Sequence, residues 1–138
     1  MVLDSSAIVA IEMREAGFER LLDCIEQAPV VVVCTATILE ATMVLTSKSG
    51  SDARPIVAAF MRNVGAEIIP FRQDHLELAS AAFLRFGKGR NKASLNYCDC
   101  ISYAVAVVAD LPLLFVGNDF IFTDIRQAMP GTAISTKM

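Results

Sequence analysis

The stretch V-V-V-V-C-T, Val30 to Thr35, decides the fold class. An unbroken apolar run rich in β-branched residues is typical of a strand buried on both faces, whereas a half-buried strand alternates apolar and polar residues. Thr35 is a good helix N-cap, so a helix is expected to follow directly. A strand covered on both faces and followed by a helix indicates a parallel sheet between helical layers.

The same alternation of strand and helix continues on either side of this stretch. Further strands are predicted at Val2–Leu3, Glu67–Phe71 and Leu113–Val116, with a possible short fifth at Thr132–Ser135. Helices are predicted at Ala7–Arg14 after a cap at Ser5 or Ser6, Phe18–Gln27, Thr35 through Thr46, a segment capped by Ser51 or Asp52 and running to Asn63, Gln73–Phe86, and Cys100–Ala109 after Asp99. We therefore expect one α/β domain over residues 1–138.

Composition limits the class of protein. With 138 residues, 54% of them hydrophobic, the chain can bury a sizeable core and is not expected to be disordered. A net charge of −3 argues against a protein that coats nucleic acid, although a local basic patch is still possible. The four cysteines form no C-x-x-C pair and there is a single histidine, which argues against a zinc cluster.

The N-terminus and the longest apolar stretch help to predict where in the cell the protein is located. The start M-V-L-D has no basic region before an apolar segment, which argues against a signal peptide. The apolar stretch Ile101 to Val116 is interrupted by Asp110 and Pro112, so it is not expected to span a membrane. We predict a cytoplasmic protein.

Four acidic residues stand where helices and strands meet. Asp4 follows the first strand, Asp119 follows the fourth, Asp99 opens the helix before the fourth, and Glu40 is on the second turn after the second strand. Sites in parallel sheets form beyond the carboxyl ends of the strands. We therefore expect these acids to meet at one rim.

Converging carboxylates repel one another unless a cation compensates them. An oxygen-only site suits Mg²⁺ or Mn²⁺, which polarise phosphoryl oxygens and activate water. Taken singly, Asp4 and Asp99 could be helix caps and Asp119 a turn residue. Glu40 is harder to explain in that way, because its neighbours predict a buried helix face. His75 is isolated on its predicted helix and is not expected to be a catalytic base.

Several segments together resemble one family. They are M-V-L-D-S-S-A-I-V-A, T-A-T-I-L-E-A, G-K-G-R-N-K-A-S-L-N-Y-C-D-C-I-S-Y-A-V-A and P-L-L-F-V-G-N-D-F-I-F-T-D-I. Their order and spacing resemble the PIN-domain ribonucleases, specifically toxins of the VapC type. The resemblance implies a PIN-like three-layer α/β/α sandwich with a central parallel sheet, and an endoribonuclease dependent on Mg²⁺ or Mn²⁺.

The resemblance also implies a role for each acid. Asp4 and Asp99 would be the principal metal ligands, and Glu40 would bind the metal directly or through water. Ser6 would support Asp4 by hydrogen bonding. Asp119 would be the fourth acid of the catalytic site and a further metal ligand.

The segment around the fourth acid departs from the family pattern. Close relatives tend to read K-G-D-D-F or K-G-E-D-F, whereas this chain reads V-G-N-D-F, with Val116 and Asn118 in place of a lysine and an acid. If the ligand position is Asn118, only a neutral oxygen remains there and metal affinity would fall. Asp124, which also matches the family pattern, would lie in the outer shell of the site or cap a following turn.

A basic loop and several binding partners are also expected. Lys88, Arg90 and Lys92 form either a solvated loop or a phosphate-positioning RNA contact. The resemblance implies an RNA substrate, a cognate antitoxin and a homodimer, with no membrane partner. Candidate docking surfaces for the antitoxin are the first two helices and the helix ending at Asn63.

Two other functions are compatible with parts of this sequence. The changes at Val116 and Asn118 favour a catalytically weakened module of the same fold that mainly binds an antitoxin. A small-molecule phosphatase is a third candidate, but such enzymes often carry D-x-D after the first strand and this chain has D-S-S. The sequence does not identify the RNA, the cleavage position, the number of metal ions or the antitoxin.

Overall fold

The computed structural model describes residues 1–129, and its centre is a parallel sheet. The strands are β1 (Val2–Leu3), β2 (Val32–Cys34), β3 (Glu67–Ile69) and β4 (Leu113–Leu114). They lie side by side in the order β3-β2-β1-β4, and every neighbouring pair is parallel. The predicted sheet is confirmed, while the possible strand at Thr132–Ser135 lies outside the described residues.

Helices cover both faces of this sheet. They are α1 (Ser5–Glu12), α2 (Phe18–Glu26), α3 (Thr35–Ser49), α4 (Arg54–Asn63), α5 (Gln73–Phe86) and α6 (Tyr97–Ala109). A short 3₁₀ helix, Asp119–Phe122, follows β4. Helices α1 to α4 pack on one face and α5 and α6 on the other, which confirms the three-layer α/β/α sandwich.

The strands divide their side chains between two cores. In β1, Leu3 faces the core formed with α1 to α4, and Val2 faces the core formed with α5 and α6. In β2, Val33 faces the first core while Val32 faces the second. Successive side chains of a strand point to opposite faces, so a strand covered on both sides needs apolar residues throughout. This explains the continuous valine run.

The strand β3 is an exception to that burial. It lies at the edge of the sheet, where Glu67 is exposed and Ile68 is 51% exposed. The predicted strand through Phe71 was also too long, because pairing with β2 ends at Ile69. Edge strands are only partly covered, which accounts for a charged residue in the sequence of β3.

The predicted helix caps were wrong for α1 and α3. Asp4, not Ser5 or Ser6, is the N-cap of α1, and its side chain accepts a hydrogen bond from the Ser6 backbone N–H. Thr35 is the first residue of α3, and Cys34 precedes it as the N-cap. Each strand runs straight into its helix with no loop between them, so the cap falls one or two residues earlier than predicted at α1 and one residue earlier at α3. The alternative that Asp4 caps a helix is confirmed. At the other end of α3, Gly50 adopts a φ of 73°, which favours glycine.

No helix among residues 1–129 combines the length and the apolar character that crossing a bilayer requires.

The helix α3 offers a matched test of core packing. Leu45 is 1% exposed within the core, whereas Met43 on the same helix is 61% exposed. We expect Leu45→Ala to lower the free energy of unfolding by about 2–5 kcal/mol, and Met43→Ala to change it by less than about 0.5 kcal/mol. Urea denaturation measures both. Equal losses in the two variants would contradict the assigned burial of α3.

Candidate active site

Asp4 is fixed by groups from both helical layers. Its backbone N–H donates to the Leu114 carbonyl at 2.9 Å, which places it at the carboxyl end of β1 beside β4. Its Oδ2 accepts from the backbone N–H of Ser6 at 3.1 Å and from the Ser6 hydroxyl at 2.6 Å. Its Oδ1 accepts from the Ser102 hydroxyl on α6 at 2.6 Å. The carboxylate is therefore buried, with a fixed orientation.

Ser6 connects Asp4 to the segment after β4. While its hydroxyl donates to Asp4, the same oxygen accepts from the Val116 backbone N–H at 3.0 Å. Val116 stands where relatives tend to carry lysine, and it contacts Ser6 through its backbone N–H. The chain between β4 and Asp119 is tied to the first acid in this way.

Asp99 lies in the first turn of α6, but the helix begins two residues before it. The N-cap is Asn96, whose side-chain oxygen accepts from the Asp99 N–H at 2.9 Å, and Asp99 Oδ2 accepts from the Asn96 N–H at 3.0 Å. The prediction that Asp99 starts the helix was wrong because this reciprocal capping box forms around Asn96. Asp99 Oδ1 has no hydrogen-bond donor among residues 1–129, so it is available to a ligand.

Glu40 is held from two helices. The Ser5 hydroxyl of α1 donates to Glu40 Oε1, and the Cys98 thiol of α6 interacts with the same carboxylate. Burial, followed by this interaction and nearby acidic charge, raises the pKa of Cys98 to about 12, so the thiol stays protonated. The prediction that Glu40 lies on the buried face of α3 was wrong, because that face carries Thr37, Ala41 and Leu45 and Glu40 is only half-buried.

The fourth acid is at the open side of the rim. Asp119 begins the 3₁₀ helix and is exposed, and Asn118 before it is also exposed. The charge of Asp119 acts on Asp99, which places the two carboxylates in the same group. Asn118 makes no side-chain hydrogen bond to the helix it precedes.

The four carboxylates act on one another electrostatically. Burial raises the pKa of Asp99 to about 7, with further increases from the charges of Asp4, Asp119 and Glu40, against the hydrogen bond from Asn96. Burial also raises the pKa of Asp4, helped by Glu40 and opposed by the hydrogen bonds from Ser102 and Ser6. Within residues 1–129, no lysine, arginine or histidine forms an ion pair with any of these acids.

The donor set suits a hard cation that keeps part of its water. In residues 1–129, no three His, Cys, Asp or Glu side chains stand together closely enough to hold a metal ion by themselves. Mg²⁺ commonly uses one or two carboxylates, with water and substrate phosphate completing its octahedron. Asp4 and Asp99, which interact and have no cationic partner in the described part of the chain, fit that arrangement. A closed cage of protein ligands does not fit.

Asp124 is engaged elsewhere. Its Oδ1 accepts from the Tyr103 hydroxyl at 2.6 Å, and its Oδ2 lies 3.4 Å from Arg85 Nη1. The Tyr103 hydrogen bond is the main reason that the pKa of Asp124 is lowered. These contacts tie the segment after the 3₁₀ helix to α5 and α6. Asp124 makes no hydrogen bond to the four acids, so the outer-shell role predicted for it gains no support from its contacts.

The basic loop is exposed and contacts aromatic rings. The Arg90 guanidinium is 5.5 Å from the centroid of the Phe83 ring, and Lys92 Nζ is 4.7 Å from that of Phe122. The side chain of Lys88 is exposed. Among residues 1–129, none of these three cations is paired with a carboxylate. Their charge is therefore available to an anionic ligand.

Sequence reasoning missed Ser5, Cys98 and Ser102 as partners of the acids. Ser102 is a small polar residue in an apolar helical run, three residues after Asp99, so both side chains share one face of α6. That spacing was a usable signal. Nothing in the sequence indicated that Cys98 would reach Glu40, because the contact depends on how α3 crosses α6.

The raised pKa of Asp99 predicts a pH dependence of stability in metal-free buffer. The Asp99 carboxyl binds its proton more tightly in the folded chain than in the unfolded chain. Its contribution to the free energy of unfolding is therefore complete below the ordinary carboxyl pKa of 3.8 and is lost as pH rises through about 7. From about pH 5.5 to about pH 8.5 we expect the free energy of unfolding to fall by about 2 kcal/mol. Urea titrations should show that Asp99→Asn removes most of this fall and that Asp23→Asn, which changes an exposed residue, keeps it. If the free energy of unfolding of Asp99→Asn falls with pH as much as that of the unaltered chain, the prediction is contradicted.

Comparison with known proteins places this site in a family. The PIN domain model matches residues 1–126. Ribonuclease VapC36 of Mycobacterium tuberculosis is 38% identical over 127 residues, 91% of this chain and 91% of that protein. The crystal structure of M. tuberculosis VapC20, described as a sarcin–ricin loop cleaving toxin, has a TM-score of 0.71 at 20% identity, covering 91% of this chain and 98% of that one.

A toxin–antitoxin complex from Klebsiella pneumoniae matches with a TM-score of 0.63 at 21% identity, covering 86% of this chain and 88% of that one. At these identities the two solved structures show the fold alone. The domain model and the VapC36 relative each span most of the chain. The chain therefore belongs to the PIN-domain family, as its motifs predicted.

Proposed function

We propose that this chain is a metal-dependent endoribonuclease and the toxin of a toxin–antitoxin pair. The observation that carries the proposal is the pair Asp4 and Asp99, whose carboxylates are held by hydrogen bonds from neutral donors and have no ion-pair partner among residues 1–129. The charges of Glu40 and Asp119 help to raise the pKa of Asp99. The name of the relative at 38% identity, ribonuclease VapC36, supports the same activity.

In this proposal Asp4 and Asp99 bind a divalent cation, Mg²⁺ or Mn²⁺, through carboxylate oxygens. Ser6 and Ser102 fix the orientation of Asp4, and the capping box with Asn96 fixes that of Asp99. When bound, the cation supplies Lewis acidity toward a phosphodiester and lowers the pKa of water. A donor set made of oxygen suits such an ion.

Glu40 and Asp119 have different surroundings and different proposed roles. Glu40 is half-buried and held by Ser5, so it orients a water against the scissile phosphate or contacts the ion through one. Asp119 is exposed at the rim and contributes a carboxylate on the side from which substrate enters. His75 is fully buried and its Nδ1 accepts from the Arg72 N–H, which leaves it no part in proton transfer at this rim.

The same charge arrangement suggests how a partner antitoxin inhibits the enzyme. A basic side chain inserted at the rim would pair with the carboxylates and occupy the place of the cation. The toxin–antitoxin complex among the similar structures supports an antitoxin partner. The exposed Met13, at the C-cap of α1, and Ile56, on α4, are candidate contacts. The homodimer and the cytoplasmic location stay predictions.

Cleavage of total RNA tests the enzymatic proposal. We expect the purified chain, free of antitoxin, to cut RNA with Mg²⁺ or Mn²⁺ and to stop when EDTA is added. Asp99→Asn should lower the rate by roughly a hundredfold or more, because several kcal/mol of transition-state stabilisation depend on the cation. Asp23→Asn should match the unaltered chain. Cutting that survives EDTA or persists in Asp99→Asn would rule out the acidic site.

A second candidate is a catalytically weakened module that mainly binds an antitoxin. It is favoured by the neutral amide of Asn118 and by the lack, in residues 1–129, of three groups that converge on one metal position. In this alternative the rim serves only to receive a basic side chain of the partner. Metal binding separates the two candidates without any need for an RNA substrate.

Thermal unfolding with added cation supplies that measurement. At a concentration about a hundredfold above its Kd, Mg²⁺ or Mn²⁺ should stabilise the folded chain by about 2.7 kcal/mol. The shift should be lost in Asp4→Asn and retained in Asp23→Asn. If millimolar Mn²⁺ leaves the unaltered chain unchanged, the weakened module becomes the better account of this protein.

A further inference from the structure

An apolar cleft runs between α5 and α6 on the face of the sheet opposite to α1 to α4. It has a volume of about 380 Å³, within the range of roughly 300–1,000 Å³ found for small-molecule sites. Three aromatic rings stand in its walls, from Phe71, Phe83 and Tyr97, and we refer to it as the aromatic cleft. It is separate from the four acids but shares the helix α6 with Asp99.

Tyr97 is the most unusual residue of this cleft. It is the first residue of α6, two positions before Asp99, and it is 79% exposed. Within residues 1–129 its hydroxyl makes no hydrogen bond, so no contact explains why an aromatic ring lies in water. Phe83 on the opposite wall is 42% exposed. Exposed aromatic faces of this kind are the platforms on which proteins stack unpaired nucleobases.

Positive charge borders the cleft. From Arg85 to Cys98 the sequence contains four cationic residues and no acidic one, against a net charge of −3 for the whole chain. Arg90 lies over the Phe83 ring, so a cation stands directly at the wall of the cleft. A base in the cleft would carry its phosphate toward this loop. Stacking rings beside unpaired cations are how proteins bind single-stranded nucleic acid.

We propose that the aromatic cleft binds an unstacked base of the RNA substrate, close in sequence to the phosphate held at the acidic rim. This inference rests on the proposed endoribonuclease function and adds to it a requirement for single-stranded RNA at the cut. Tyr97 stacks the base, Phe83 closes the other wall, and Arg90 with Lys88 binds the phosphate of that same nucleotide, which is a different phosphate from the one at the acidic rim. Discrimination between bases follows from the shape of the cleft.

A second copy of this chain is the other conceivable occupant of an exposed apolar cleft. A symmetric dimer formed through the cleft would use the same surface on both copies. The two cationic loops would then approach each other, and charges of like sign placed across an interface are unfavourable. Charge complementarity therefore favours RNA, and the oligomeric state becomes a control in the test.

The test measures binding of a short single-stranded RNA that carries 2-aminopurine, in EDTA and low salt so that nothing is cut. Tyr97→Ala should weaken binding by roughly 5- to 150-fold, the usual range for removing one stacking ring. It should also abolish the fluorescence quenching that stacking produces. Tyr97→Phe should behave as the unaltered chain, because stacking needs the ring and not the hydroxyl. Leu84→Ala, which changes an exposed residue of α5 outside the cleft, is the matched control.

Three results would overturn the inference. The first is unchanged affinity and quenching in Tyr97→Ala, and the second is no binding of single-stranded RNA by the unaltered chain. The third is a change of mass in light scattering that accounts for the lost affinity, which would assign the cleft to a second copy. RNA cleavage by the unaltered chain is scored separately. If the unaltered chain cuts RNA and Tyr97→Ala binds RNA as well as the unaltered chain does, only the role of the cleft is rejected. If the unaltered chain binds RNA through Tyr97 but does not cut it, the proposed enzymatic activity is rejected and the cleft is kept as an RNA-binding site.

Discussion

The carboxylate of Asp4 is the point on which both helical layers converge. It caps α1 through Ser6 on one side of the sheet and accepts a hydrogen bond from Ser102 of α6 on the other. A buried carboxylate without partners would cost several kcal/mol, so these donors are required for the fold as well as for the site. Because α6 also carries Asp99, the same hydrogen bond sets the distance between the two principal acids.

The donors around the acids are neutral. Serine hydroxyls, a protonated thiol and backbone N–H groups orient the carboxylates without cancelling their charge. A lysine or arginine in their place would have paired with the carboxylates and cancelled their charge. Burial is the main reason that the pKa values of Asp4 and Asp99 are raised, and the charges of neighbouring acids raise them further.

Predictions from local sequence pattern succeeded where a single short segment is enough to set the secondary structure. The valine run had to be a strand covered on both faces, and Gly50 had to end a helix near its position. The same reasoning failed at helix starts, where several polar residues compete for the cap. At α6 the prediction took Asp99 as the start of the helix, whereas the reciprocal capping box makes Asn96 the N-cap. Pairing of β3 ended early because an edge strand has a neighbour on one side only.

The sequence by itself determined the fold class and the family, because each follows from periodicity or from residues at fixed spacing. The role of the four acids stays a prediction. Only the tertiary structure decided which groups hold those acids. Ser102 reaches Asp4, Cys98 reaches Glu40, and Tyr103 draws Asp124 away from the rim. These contacts join residues on different elements, so they depend on how helices cross the sheet. No local pattern encodes a crossing angle, and for that reason the partners appear only in the folded chain.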